Sequence, residues 1–442
     1  MDNFEKADII TQVALNKNKS NFLPRGEQMV INRTLKDKLV RYLKEMQANP
    51  NRPKAMMDID EMMNQMHGQR VKDLYSYRRE GNHVVALPDS QIPPELIYGI
   101  EHFVPVGVCM GAGEVEQYVD QITRGLATPI RSMIGFLATG MCVFYNLSDY
   151  VLGTNLSFSF ERGTEIIKEI TNDFNVFCLN YSKEIDKATI DFENLSQWIE
   201  KVSNGKGINR SRFIDYCKLY ASIRKEYQAI AKLRSHSNPP IDGCNSLWIQ
   251  QLYPVEEPRK LLQQLIKLHN ELDQNIINGI GYNKNGDKKR VLLVTPRIMP
   301  PFAEIYRLIE RSGGLVVLEQ TDMGITNIDY NLDELLTIVQ NDSGAFENSI
   351  RYIMESINTV ESSSFVYSDK TDLKRKIEEY AIEAIICFNF RDCPEMDAKI
   401  NNITEYGSAL GIPLKTIQSD YLEMYDKETS LSEEIKDFLN AI

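Results

Sequence analysis

The sequence predicts an α/β protein built as two Rossmann-like lobes with parallel sheets, preceded by N-terminal helices and divided by a helical bridge. Three observations carry this. The run VVALPDSQIPP from Val84 returns 207 residues later as VLLVTPRIMPP from Val291, each an apolar strand, a polar turn and a proline pair ahead of a helix. The strand candidates are continuous apolar runs separated by segments of helical period, as expected of strands covered on both faces by crossover helices. At 442 residues the chain also exceeds what one core organises, since domains average about 150 residues.

Residues 1–75 read as helical. Val30, Ile31, Leu35, Leu39, Val40, Leu43 and Met46 recur at helical spacing, and the methionine-rich stretch MMDIDEMMNQM from Met56 reads as adaptable core or interface packing rather than a ligand set. The first lobe, residues 76–190, alternates strand VVAL, helix ELIYGIEH, strand VPVGV, helix TPIRSMIGFLATGM, strand YVLGTN, helix RGTEIIKEITNDF and strand VFCLNY. Pro93 and Pro94 correspond to Pro300 and Pro301, and proline suits a helix's first turn, where no N–H is needed.

The bridge, residues 191–288, carries two long helical patterns, FIDYCKLYASIRKEYQAIAKL and RKLLQQLIKLHNELDQNII, on either side of a break at SNPPIDG. The second lobe, residues 289–442, repeats the alternation: strand VLLV, helix FAEIYRLIERSGG, strand LVVLEQ, helix LKRKIEEYA, strand EAIICFN, helix PEMDAKINNITEYGSALG, strand IPLKTIQ and the closing helix LSEEIKDFLNAI.

A content of 43% hydrophobic and 25% charged residues places the chain among globular proteins. Its net charge of -12 repels a polyanion, and its nearest basic run, NKNGDKKR at residues 283–290, reads as a solvated linker; nucleic acid is therefore not an expected partner. The opening MDNFEKADII lacks the basic and apolar regions of a secretory leader, and the longest apolar run, Met133 to Tyr145, is short of the ~20 residues that cross a bilayer. A cytoplasmic protein without a membrane segment is expected.

Ligands of open α/β sheets bind at the strands' carboxyl ends. By that rule Cys109, just past VPVGV, and Cys393, just past EAIICFN, stand on binding edges. Cys178 and Cys387 fall inside strands as small buried hydrophobes, Cys142 is expected at the opposite edge, Cys217 is mid-helix and Cys244 is expected in the SNPPIDG loop. The seven cysteines form no CxxC pair. P-loop, HExxH and GxSxG motifs are missing, the five histidines are scattered, and MGAGEVEQ lacks the third glycine of a dinucleotide fingerprint.

From Tyr75 onward the order of parts, YSYRREGNHVVALPDSQIPPELIYGIEHFVPVGV, ATPIRSMIGFLATG and DYVLGTN, then KRVLLVTPRIMPPFAEIYRLIERSGGLVVLE, IEAIICFNFRDCPEM and GIPLKTIQSD, resembles the 2-hydroxyacyl-CoA dehydratase and benzoyl-CoA reductase family over residues 75–442. The resemblance implies a two-subunit enzyme acting on an acyl-CoA. It also implies a 4Fe-4S cluster held between the lobes by three cysteines, and a separate ATP-dependent activator protein that delivers one electron. In the dehydratases the thioester becomes a ketyl radical anion that expels the 2-hydroxyl; the reductases are the alternative within the family.

Carrying the cluster ligands over exposes a departure. The first family cysteine, four residues before the arginine of a C-x-x-x-R-S helix start, falls on Ala127 ahead of Arg131, the second on Ser157, and only the third, Cys393, is retained. Three readings follow: a cluster held unusually by Cys109 and Cys393, a cluster-free partner of an active subunit, or a paralogue repurposed to bind another small molecule. Glu95, at a helix start past the first strand, and Arg131, suited to a CoA phosphate, are the substrate-binding candidates. The apolar helix of residues 29–48 has no counterpart in either lobe, and reads as contact surface for a second family-like subunit or for self-association.

Overall fold

A computed structural model describes residues 23–155, 157–171, 175–180, 185–299, 301–321, 330–341, 348–353, 370–391 and 393–442. The segment MDNFEKADII, the NDF of the helix ending at 174, Tyr181, Pro300 and Asp392, all used above, lie outside these.

The eight expected strands form two four-stranded sheets. In the first, β1 (His83–Leu87), β2 (Phe103–Gly107), β3 (Tyr150–Thr154) and β4 (Asn175–Leu179) lie in the order β2-β1-β3-β4, with every pair parallel. In the second, β5 (Lys289–Val294), β6 (Gly314–Gln320), β7 (Ala384–Phe390) and β8 (Leu414–Ser419) lie in the order β6-β5-β7-β8, again parallel. Each half thus places its first strand between its second and third, as a duplicated unit must. The PELIY and FAEIY segments cover different sheets, because helix Pro94–Gly99 packs on β2 and helix Glu304–Arg311 on β6.

Central strands are buried almost throughout, which explains their uninterrupted apolar sequence: β7 is closed to solvent at all seven positions. Of the edge strands, β2 is equally buried while β8 and β4 are less so. β8 is buried only at alternate positions near its end, and Cys178 on edge strand β4 is half-buried rather than enclosed as expected. Gly107, the last residue of β2, admits the bridge: its N–H donates to Pro254 O at 2.7 Å, and a Cβ there would come within 2.7 Å of the proline ring.

The helix Arg25–Gln47 turns Ile31, Tyr42 and Met46 into the core, while Met29, Val30 and Val40 face solvent. Tyr42 OH donates to Cys244 O at 3.0 Å, tying this helix to the bridge. Cys244 itself lies in the first turn of helix Gly243–Gln250, capped by Asp242, and not in the preceding loop. Of the methionine-rich stretch, Met56 and Met63 are buried and Met57 is exposed. The helix Ile185–Val202 runs across residue 190 and packs on β4, with Trp198 stacked on Phe177 at 5.4 Å. Among the described residues no helix is long and apolar enough to cross a membrane.

Candidate functional site

The carboxyl ends of the two sheets face one another. Asp89 follows β1 by two residues, and its carboxylate accepts from Gln91 N at 3.0 Å, from Thr154 Oγ1 at the end of β3 at 2.7 Å, and from Arg297 Nη2 at 3.0 Å. Arg297 lies three residues past β5 and also sits 5.2 Å from the Phe160 ring. A residue of each repeat's first turn therefore closes the crevice. Neither was singled out from sequence, although opposite charges at corresponding turns of two repeats were a readable signal.

Near this pair lie neighbours of the three positions that the resemblance aligns with cluster cysteines. The Ala127 N–H donates to Ser159 Oγ at 3.2 Å, and the Thr128 hydroxyl donates to Arg391 O at 3.3 Å, two residues from Cys393. Residues adjoining positions 127, 157 and 393 thus meet between the lobes, and each of the three stands at the start of a helix. The chemistry there does not suit a cluster. Ala127 offers a methyl group, and the Ser157 hydroxyl is engaged as a helix cap, accepting from Phe160 N at 3.2 Å. Cys393 is the one thiol of the three, whereas iron–sulfur clusters are held by thiolates. Among the described residues no group of three or more His, Cys, Asp or Glu side chains could hold a metal ion. The residues present do not fit a cluster held by three cysteines.

Cys109 is engaged elsewhere. Its N–H donates to the sulfur of Cys142 at 3.2 Å, which places Cys142 beside the carboxyl end of β2 and corrects the expectation that it sits at the opposite edge. The reason is local: a short helix, Val143–Leu147, separates Cys142 from β3, and Cys142 caps it by accepting from Tyr145 N at 3.4 Å. The thiols also meet. The hydrogen bond to Cys142, together with burial, holds the Cys109 thiol well above its usual range. Burial pushes Cys142 up too, but the donors from Cys109 and Tyr145 outweigh it and bring Cys142 below its ordinary value.

Cys109 lines a cavity of about 180 Å³, and among the described residues none of the 389–397 turn lines it. Helix Arg25–Gln47, the end of β2, the bridge and Met299 of the second lobe contribute to its lining.

Glu95 is fully buried. Its Oε1 accepts from Arg224 Nη2 at 2.8 Å and from Tyr330 OH at 2.6 Å, so first lobe, bridge and second lobe meet on one carboxylate. Arg224 also donates to Tyr253 OH at 3.1 Å. Arg131 pairs with Asp120 at 2.7 Å and Glu116 at 3.4 Å. Both charges are thus balanced within the protein.

The family model described as 2-hydroxyglutaryl-CoA dehydratase, D-component, matches residues 89–442. The match begins at Asp89 and takes in positions 127, 157 and 393. No curated protein matches the chain.

Proposed function

The chain belongs to the 2-hydroxyglutaryl-CoA dehydratase D-component family, and from that premise we propose that it is a cluster-free subunit of a 2-hydroxyacyl-CoA dehydratase-type enzyme of the cytoplasm. The family implies a partner subunit and an acyl-CoA substrate. The overall reaction in this reading is loss of water from a 2-hydroxyacyl-CoA by way of a ketyl radical anion, after an ATP-dependent activator has supplied one electron. The electron-accepting group belongs to the partner subunit, and this chain completes the assembly.

One observation carries the reading. The positions that the resemblance aligns with cluster cysteines, 127, 157 and 393, carry a methyl group, a capping hydroxyl and one thiol, and their neighbours meet between the lobes. A fold that keeps the place and loses the donors suits a subunit whose partner does the redox chemistry. The solvent-facing Met29, Val30 and Val40 of the N-terminal helix supply an apolar surface for that partner.

The test is reconstitution. Mixed under anaerobic conditions with a cluster-bearing family subunit and its activator, the purified chain should restore acyl-CoA dehydration that neither component supports alone. No gain over the cluster-bearing subunit and activator would contradict the assignment.

A further inference from the structure

We propose that Cys109 and Cys142 form a redox-active dithiol, a modification site at which a low-molecular-weight disulfide converts the two thiols into one intramolecular disulfide. Cys109 follows β2, and Cys142 stands 33 residues later as the cap of helix Val143–Leu147. The Cys109 N–H nevertheless donates to Cys142 Sγ at 3.2 Å, and the two thiols share a hydrogen bond. Thiols already in contact from separate elements are placed for a bond whose Cβ atoms lie about 3.8 Å apart. Their access differs. Cys109 is half-buried and lines the cavity, which also takes in the exposed Lys36, whereas Cys142 is 1% exposed. Cys109 is therefore the thiol that meets the reagent, and Cys142 the one that resolves the adduct.

The chemistry sets this pair apart from the other thiols. Burial pushes Cys178, Cys217, Cys244 and Cys387 above their ordinary range, the condition of inert structural cysteines. Burial pushes Cys142 the same way, but the donors from Cys109 and Tyr145 outweigh it and favour the thiolate. Ionised Cys142 takes the Cys109 proton as Cys109 Sγ attacks the small disulfide; one S–S bond forms, one breaks, and a small thiolate leaves. Cys142 Sγ then attacks Cys109 Sγ and expels the second small thiol, its own proton passing to that leaving group. The protein gives up two electrons, and the reagent takes them as its two sulfurs become separate thiols. Because Cys142 is held beside the adduct, its effective concentration exceeds that of a free thiol in solution, so the intramolecular bond wins over the mixed disulfide.

Anaerobic incubation of the reduced full chain with 2-hydroxyethyl disulfide, then acid quenching, alkylation and peptide mapping without reduction, tests this. The expected product links Cys109 to Cys142, carries no mercaptoethanol on either, and regains both thiols with dithiothreitol. Cys142→Ser should instead accumulate the mixed disulfide at Cys109, and Cys109→Ser should leave the enclosed Cys142 reduced. The proposal is overturned if both thiols of the unaltered chain stay unreacted, if the mixed disulfide at Cys109 persists there, or if Cys109 is unmodified in the Cys142→Ser chain. Should a variant fail to fold, the map of the unaltered chain decides, scored against the buried Cys217, Cys244 and Cys387. Linkage of Cys109 to Cys142 while those three remain reduced supports the dithiol; equal oxidation of all five rejects it. Neither the reagent nor the readout involves a cluster or a partner subunit, so either result leaves the subunit assignment standing.

Discussion

Arg297 of the second lobe donates across the interlobe boundary to Asp89 of the first, 3.0 Å away, and both side chains are closed to solvent. Removing one member of a buried ion pair leaves the other uncompensated. Asp89→Ala and Arg297→Ala should each cost about 3–5 kcal/mol in denaturant unfolding. The double replacement Asp89→Leu with Arg297→Met should cost clearly less than the two single losses added. Single variants as stable as the parent protein would show that the lobes are held by other contacts.

The Glu95 carboxylate joins Arg224 and Tyr330 in a second buried knot. Tyr330→Phe should lower stability by about 1.5–3 kcal/mol, the value of a hydrogen bond to a charged group. Glu95→Ala should cost more, about 3–5 kcal/mol, because it strands a guanidinium in the core. Chemical denaturation measures both, and the reverse ranking would refute the account of the knot.

Stability should fall as pH rises through neutrality. Burial raises the Glu116 carboxyl from its ordinary 4.5 to about 8, against the pull of Arg131. A group raised in the folded state stabilises the fold fully below its unfolded value and loses that contribution as pH climbs through the folded one. Glu310 is raised to about 8 in the same direction, by burial first and then by Asp242. Glu116→Gln should therefore reduce, without abolishing, the drop in melting temperature between pH 5 and pH 9. Parallel curves for the two proteins would show that Glu116 is ionised throughout.

All eight strands were legible in the sequence because buried parallel strands are written as unbroken apolar runs, and the repeat at Val84 and Val291 fixed the pairing of halves. The site was legible only in part. Ala127, Ser157 and Cys393 could be named by resemblance, but the partners of Glu95 lie 129 and 235 residues away, where no local pattern points. Cys142 was misplaced because the five-residue helix Val143–Leu147 is too short to show a period. Val30 and Val40 share the helical spacing of Ile31 and Leu39 yet face solvent, since apolarity alone does not say which side of a helix is covered.

If positions 127, 157 and 393 are the family's cluster positions, the donor set can be rebuilt. Ala127→Cys combined with Ser157→Cys should give a chain that takes up iron and sulfide on anaerobic reconstitution and turns brown, at a cost of about 1 kcal/mol for the lost helix cap. A folded but colourless double variant would mean that the three positions do not converge on one metal site.

The central claim, that this family member folds the cluster site without the means to hold a cluster, is tested most directly by iron and acid-labile sulfide analysis of the unaltered chain purified under strict exclusion of oxygen. The account predicts a colourless, folded protein with neither element in stoichiometric amount. Four irons and four sulfides per chain, lost on Cys393→Ser, would contradict it.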